Sequence, residues 1–498
     1  MKLAPLALAL VLALPAQAEE PLGAFELSDW HVPGRVIDAF VARGEDGRDT
    51  VIAISLEGSP PAERRRLTSL PRDLAEPPRP VEVPGDVVAV DAAELGLAPG
   101  PELVLLSAGE LRVLSLRGEP LLAERIEPPL PLPPRTWELA RAELVRDWDS
   151  DGRLEVLAPS AAGVRLLPLV PGDAIQELAL PLVADYGSPT LENYFRPGLL
   201  SSVVSWPSVA LADDDGDGRA DLFASDRYQL YVFRSTPAGL PRVPTWVRSF
   251  PPFSAEEERR HLASTRLTLV RDLDGDGRAD LVVDRMVGEL ARSRSATSIH
   301  LNGGTGADPL APPSARIERT GGNAVMRLGD VDGDGHVELL EAYIGFGVLQ
   351  AIRMLTLQHA ELRLRVLSLP ADGGATPRES WSDDVSFPFD FTTTRVRGVL
   401  PFIEGDWNGD GRIDLCWSDD GKLLRFRLGE PDGAGPRFGP IVASVPLELS
   451  GELKAADLDR DGLPDFVAFD PLDADGRLRV GRNRGVLPGT RPQLTAPR

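Results

Sequence analysis

Six segments of this 498-residue chain follow one template, DxDxDGxx(D/E), and no other feature restricts its fold so tightly. They are DWDSDGRLE from Asp147, DDDGDGRAD from Asp213, DLDGDGRAD from Asp272, DVDGDGHVE from Asp330, DWNGDGRID from Asp406 and DLDRDGLPD from Asp457. Successive loops start 66, 59, 58, 76 and 51 residues apart, so each marks one unit of a repeated architecture.

The flanks of the loops say what the unit is. Short apolar runs such as Leu267-Thr268-Leu269-Val270 precede them, and Leu222-Phe223, Leu281-Val282-Val283 and Phe466-Val467-Ala468 follow them. Brief runs rich in β-branched and aromatic residues, bounded by a turn, predict strand, loop, strand. Each unit has room for two more strands, as at 298–301 and 315–318, and Pro- and Gly-rich stretches at 128–134 and 309–313 separate the elements. Upstream, 36–55 and 87–106 keep the strand pattern but lack the full acidic set; their loops carry Asp46 and Asp49, and Asp91, Glu94 and Glu102. These are read as degenerate repeats that have lost a metal. Eight four-stranded units predict an all-β fold, a seven- or eight-bladed β-propeller with antiparallel blades.

The loop chemistry points to calcium, which takes six to eight oxygen ligands from carboxylates, carbonyls and water. Positions 1, 3 and 5 offer side-chain oxygens, position 7 its backbone carbonyl and position 9 a closing carboxylate. The predicted sets are Asp147, Asp149, Asp151, Arg153 and Glu155; Asp213, Asp215, Asp217, Arg219 and Asp221; and Asp272, Asp274, Asp276, Arg278 and Asp280. The later three are Asp330, Asp332, Asp334, His336 and Glu338; Asp406, Asn408, Asp410, Arg412 and Asp414; and Asp457, Asp459, Asp461, Leu463 and Asp465. Glycine at position 6 permits the sharp turn. A helical EF-hand would need a bidentate Glu at position 12, where this chain has Ala158, Ala224, Val283, Glu341, Trp417 and Ala468. A simple preference of Asp and Gly for turns would explain one of each per loop, not four oxygen ligands at fixed offsets six times over. The fifth loop, with Asn408, and the sixth, with Pro464 beside Asp465, fit the template least well.

Net charge gives the same answer. Four side-chain positions in six loops make 24 ligands, of which Asn408 is neutral, and the remaining 23 acids equal the formal charge of −23. Outside the loops the chain is close to neutral, so no basic tract invites nucleic acid. Up to six Ca²⁺ would offset about half of the excess, making calcium a folding cofactor. With one cysteine, Cys416, no intrachain disulfide can do that work; Cys416 reads as a buried strand residue.

At the amino end, one Lys, an apolar run through Leu14 and Ala16-Gln17-Ala18 predict a signal peptide over 1–18. The remainder, 19–498, is expected to be a single propeller domain, secreted or periplasmic, without a lipid-attachment cysteine or a membrane span, and monomeric.

The six loops and their flanking strands resemble the FG-GAP/VCBS repeats of integrin-α-type β-propellers, over about 36–485. The resemblance implies structural calcium in the loop between the first two strands of a blade. The namesake dipeptides are poorly kept, the nearest being Phe346-Gly347 and Phe438-Gly439-Pro440.

Catalysis finds little support in the sequence. His31, His261, His300, His336 and His359 are scattered, and neither a nucleophile elbow nor a phosphate-binding loop is present. The leading expectation is a non-enzymatic module for adhesion or for binding a protein or carbohydrate, working on the face opposite the calcium loops. The alternative is a carbohydrate-active enzyme, a polysaccharide lyase or hydrolase, which would need a polar cleft there. Two stretches, 186–206 and 379–391, are predicted as long connections between blades, with the aromatics of the second, among them Trp381, Phe387 and Phe389, plugging the channel or meeting a ligand. Trp148 and Trp407, at position 2 of their loops, are expected to pack on the next blade.

Overall fold

The computed structural model describes residues 23–490 apart from 45–48, 60–61, 71–78, 133–138, 161, 170–174, 182, 187–201, 206, 260–262, 289–291, 346, 370–376, 391, 393–394 and 432–434. The predicted signal peptide lies outside the described residues, as does 187–201, most of the predicted connection at 186–206 with its Tyr194 and Phe195.

The chain forms an eight-bladed β-propeller of four-stranded antiparallel blades, which settles the blade count left at seven or eight. The weaker repeats at 36–55 and 87–106 are full blades, built on Arg35–Arg43 with Asp49–Glu57 and on Val87–Ala93 with Glu102–Ser107. The next five blades begin at Val145–Arg146, Ser208–Ala212, Ala263–Arg271, Gly322–Gly329 and Val399–Gly405. The eighth takes three strands from the carboxyl end and its outermost from the amino end: Phe25–His31 pairs antiparallel with Arg477–Asn483. The ring therefore closes by hydrogen bonds between residues more than 440 positions apart in sequence. This closure is reinforced by Asp29, which accepts from Arg479 Nε at 2.9 Å. The Arg479 guanidinium, helped by Arg477, holds its carboxyl down at about 2.

The second strand of a blade is buried on both faces, because a neighbouring blade packs on each side. Glu155–Ser160, Asp221–Ser225, Asp414–Ser418 and Asp465–Phe469 are buried along their whole length, which is why these runs read as continuous apolar stretches rather than alternating ones. Eight apolar clusters fill the gaps between consecutive blades. Cys416 is one of these buried strand residues. Trp148 packs with Leu222 and Ala224 of the following blade, and Trp407 with Phe25 and Phe466 of the eighth, as expected.

Of the two predicted connections between blades, 186–206 does lie between the third and fourth blades, and 379–391 does not lie between blades. The stretch at 379–391 is no insertion: Arg378–Asp390 is a 13-residue strand, the fourth of the sixth blade, paired with His359–Ser368. Its Trp381 meets Phe438 of the next blade edge-on at 5.3 Å, and Phe387 is core. Acidic residues between aromatics looked like a loop, but Trp381, Asp383, Val385 and Phe387 alternate onto one strand face, which packs on the next blade and sets Asp383 against Arg427 at 2.8 Å. The start and end of 186–206 belong to a two-stranded hairpin, Val183–Tyr186 with Ser202–Ser205. Among the described residues no helix is long and apolar enough to cross a membrane.

Candidate metal centres

All six acidic loops join the first strand of a blade to its second, so they share one face of the ring. Their backbone is specified locally. Position 6 is left-handed in every loop, with φ between +81° and +92° at Gly152, Gly218, Gly277, Gly335, Gly411 and Gly462, a region open to glycine at little cost. Position 4 is also left-handed, a requirement not read from the sequence although four loops have glycine there; Ser150 and Arg460 adopt it with side chains, at φ 60° and 72°. These two turns wrap the loop around its first aspartate. Asp272, for example, accepts from Gly275 N–H at 2.7 Å and from Gly277 N–H at 2.9 Å.

Five loops gather three acids whose oxygens lie within 4.8 Å of one another. In four of them the group is positions 1, 3 and 9: Asp147, Asp149 and Glu155; Asp213, Asp215 and Asp221; Asp330, Asp332 and Glu338; Asp457, Asp459 and Asp465. The loop at Asp272 instead brings together Asp272, Asp274 and Asp276, leaving Asp280 outside the group. The loop at Asp406, with Asn408 at position 3, forms no such acidic trio among the described residues; Asn408 Nδ2 donates to Asp410 at 2.9 Å and to Pro488 O at 3.0 Å.

In the four loops grouped through position 9, the position-5 acids lie outside the trio; position 7 engages them, as it also engages Asp276, which is inside one. Asp151, Asp217, Asp334 and Asp461 each accept from the backbone N–H of Arg153, Arg219, His336 and Leu463 at 2.8–2.9 Å. The Arg219, Arg278 and Arg412 side chains fold back onto Asp217, Asp276 and Asp410. The position-7 residues thus act here through N–H groups and guanidinium ions.

Position 9 has a structural duty besides. Its carboxylate is buried and accepts from the N–H of position 2: Trp148, Asp214, Leu273, Val331, Trp407 and Leu458, at 2.7–3.1 Å. Where it is Asp, the second oxygen reaches the end of the third strand, accepting from Ser235, Asn302, Gly429 or Asn483 at 2.7–2.9 Å. Burial, with the neighbouring acids adding to it, pushes Glu155, Asp280, Glu338 and Asp465 up to about 7, Asp221 to about 6 and Asp414 to about 8.

Neighbouring loops are also tied together. Position-8 N–H groups of Ala279 and Ile413 donate to the carbonyls of Asp213 and Asp330 one blade back, and Asp49 N–H does the same to Asp457 across the closure. Asn302 Nδ2 donates to Asp214 O at 2.8 Å and Asn483 Nδ2 to Trp407 O at 2.7 Å. Sequence reading missed these asparagines; their signal is an Asn just after the third strand, in LNGG and RNRG.

The donors are all oxygen, the loops are glycine-turned and the trios are tight: this chemistry fits a hard divalent cation such as calcium, held by positions 1, 3 and 9, or by 1, 3 and 5 in the loop at Asp272. The second blade shows another solution. Glu102, fully buried at the closing position, accepts from the N–H groups of Leu95, Leu97 and Ala98 at 2.6–2.7 Å, so protein donors satisfy it. Glu341, the one acid at position 12, is a strand residue paired with Arg319 and Arg365.

A family model described as an FG-GAP-like repeat matches residues 272–340 and 406–468, each span running across two consecutive loops. The chain is an FG-GAP repeat β-propeller. Its repeats thus include the four loops from Asp272 to Asp465 by direct match, and the loops at Asp147 and Asp213 by the same template and position in the blade. No curated protein matches the FG-GAP chain in sequence. Among solved structures, an Agrocybe aegerita lectin described as recognising non-reducing terminal N-acetylglucosamine is similar at 13% identity and a TM-score of 0.39, covering 91% of this chain and 96% of its own. BBS1N, solved in complex with ARL6DN and soaked with lead, is similar at 9% identity and 0.37, covering 91% and 94%. A Bacteroides fragilis NCTC 9343 protein described as a 6-phosphogluconolactonase is similar at 10% and 0.34, covering 81% and 97%. At these distances none of them carries a function to the FG-GAP propeller.

Proposed function

We propose that this protein is an exported, calcium-stabilised propeller that serves as a non-enzymatic binding or adhesion module for a protein or carbohydrate. The observation that carries the reading is the set of five acidic trios at equivalent blade positions on one face. Each concentrates like charges that a divalent cation would offset, and each lies where two strands and a neighbouring loop meet. Calcium at these positions would hold first strands to second strands and blade to blade, doing for an FG-GAP propeller without disulfides what covalent links do elsewhere. The acids being absorbed in this way, the opposite face is left for a partner. Export rests on the sequence at 1–18.

Metal analysis of dialysed protein and a calorimetric calcium titration test the proposal. Four to six calcium ions per chain are expected; a stoichiometry of zero or one overturns it. A glycan and peptide array probed with calcium-loaded protein then identifies the ligand class, and turnover of a polysaccharide by the same sample would replace the binding role with an enzymatic one.

A further inference from the structure

We infer that the fifth blade carries an oxyanion-binding site on the face opposite the acidic loops, suited to the carboxylate, sulfate or phosphate group of a ligand. The acidic loops join first to second strands, so the second-to-third turn at Gly288 lies at the other end of the blade. A cavity of about 450 Å³ opens there, within the size range of small-ligand sites. Arg285, Arg292, Arg294, Arg316 and Arg319 line it, against Glu257 and Glu318. Arg319 is already paired with Glu341; in a chain with a formal charge of −23, the other four arginines against two acids make a local reversal of sign.

Register explains the convergence. Arg285 and Val287 lie two residues apart on the second strand, opposite Ala296 and Arg294 on the third, which in turn face Glu318 and Thr320 on the fourth. Arg316, two residues before Glu318, falls on the same side. One sheet face therefore presents Arg285, Arg294 and Arg316 to the segment that leaves the fourth blade. That segment fixes the central cation: Arg285 donates to the carbonyls of Pro251 and Pro252 and sits 3.9 Å from the centre of the Phe253 ring. Arg316 is shared with Glu318 at 2.9 Å, while among the described residues Arg292 and Arg294 have no ion-paired carboxylate. Burial, together with Arg316, weakens the hold of Arg285 on its proton, so an anion in the cavity relieves a repulsion already built in. Arginine forks suit oxyanions, which accept two parallel N–H bonds.

This inference deepens the reading of that face as the ligand-binding one and does not depend on calcium. The calcium-loaded protein is titrated calorimetrically with inorganic sulfate, D-glucuronate and, as a neutral control, D-glucose. Saturable binding of glucuronate or sulfate but not glucose is expected, weakening as NaCl is raised; the stronger of the two says whether a planar or a tetrahedral anion is preferred. The double variant Arg294→Gln/Arg316→Gln should lose at least tenfold in affinity while keeping the wild-type melting temperature, and Arg285→Lys, which keeps charge but not the fork, should lose less. If neither anion binds, or the double variant binds as the wild type does, the site is refuted. Normal calcium loading in that case would leave the calcium reading standing.

Discussion

The third acidic loop separates the work of a metal ligand from that of a structural acid, because only there does the position-9 carboxylate stand outside the acidic trio. Asp280 is fully buried and accepts from Leu273 N–H at 2.8 Å and Asn302 N–H at 2.7 Å. Asp280→Ala strands both donors, at about 1–3 kcal/mol each. Some of that is returned because an acid held near 7 by burial is no longer forced inside, so a net loss of about 2–3 kcal/mol is expected. The loss should persist in excess chelator, since neither bond involves a metal. Asp274 is exposed and accepts a long bond from Asp276 N–H at 3.2 Å. Asp274→Ala should therefore cost under about 0.5 kcal/mol in chelator and about 2.7 kcal/mol when calcium is present at a hundred times its dissociation constant. Urea unfolding followed by tryptophan fluorescence, with calcium and with chelator, measures all four cases. An Asp280→Ala protein as stable as wild type in chelator, or an Asp274→Ala defect of equal size in both conditions, would show that the assignment of these two roles is wrong.

Other consequences follow from the same geometry. In chelator, the position-9 acids bind protons more tightly folded than unfolded, so their contribution is full below about pH 4 and is lost as pH rises through about 6 to 8. The melting temperature of the chelated protein should fall from pH 5 to 8, with calcium abolishing the decline; a flat or rising profile in chelator counts against it. Trp407, fully buried against the Phe25 and Phe426 rings, should cost about 3–5 kcal/mol as Trp407→Ala. Trp407→Phe should cost much less, because it also removes an indole N–H that finds no acceptor among the described residues; equal losses in denaturant unfolding would contradict this. Glu102→Ala frees three backbone N–H groups in the second blade and should destabilise by about 2–4 kcal/mol. The same loss is expected with and without calcium, and a calcium-dependent difference would refute the protein-satisfied loop.

The sequence by itself determined the local unit. Its aspartate spacing, its glycine at position 6 and the apolar runs on either side fix a turn between two strands through bonds that span fewer than ten residues, such as those from Gly277 N–H to Asp272 and from Leu273 N–H to Asp280. Such contacts are written in consecutive letters, so repetition of the template made the propeller legible and even predicted that Trp148 and Trp407 would pack on the next blade. What the tertiary structure alone decided depends on residues far apart in the chain. The blade number came from Phe25–His31 completing the eighth blade. The strand at Arg378–Asp390 was hidden because its charges are answered by Arg427 of another blade. Asn302 and Asn483, which tie one loop to the previous one, and the arginines around the fifth-blade cavity converge only through register and blade stacking. The acidic trios stand between these cases: spacing supplied the acids, but which three of the four meet depends on where the folded loop sets their oxygens, and it differs between the loop at Asp272 and the other four.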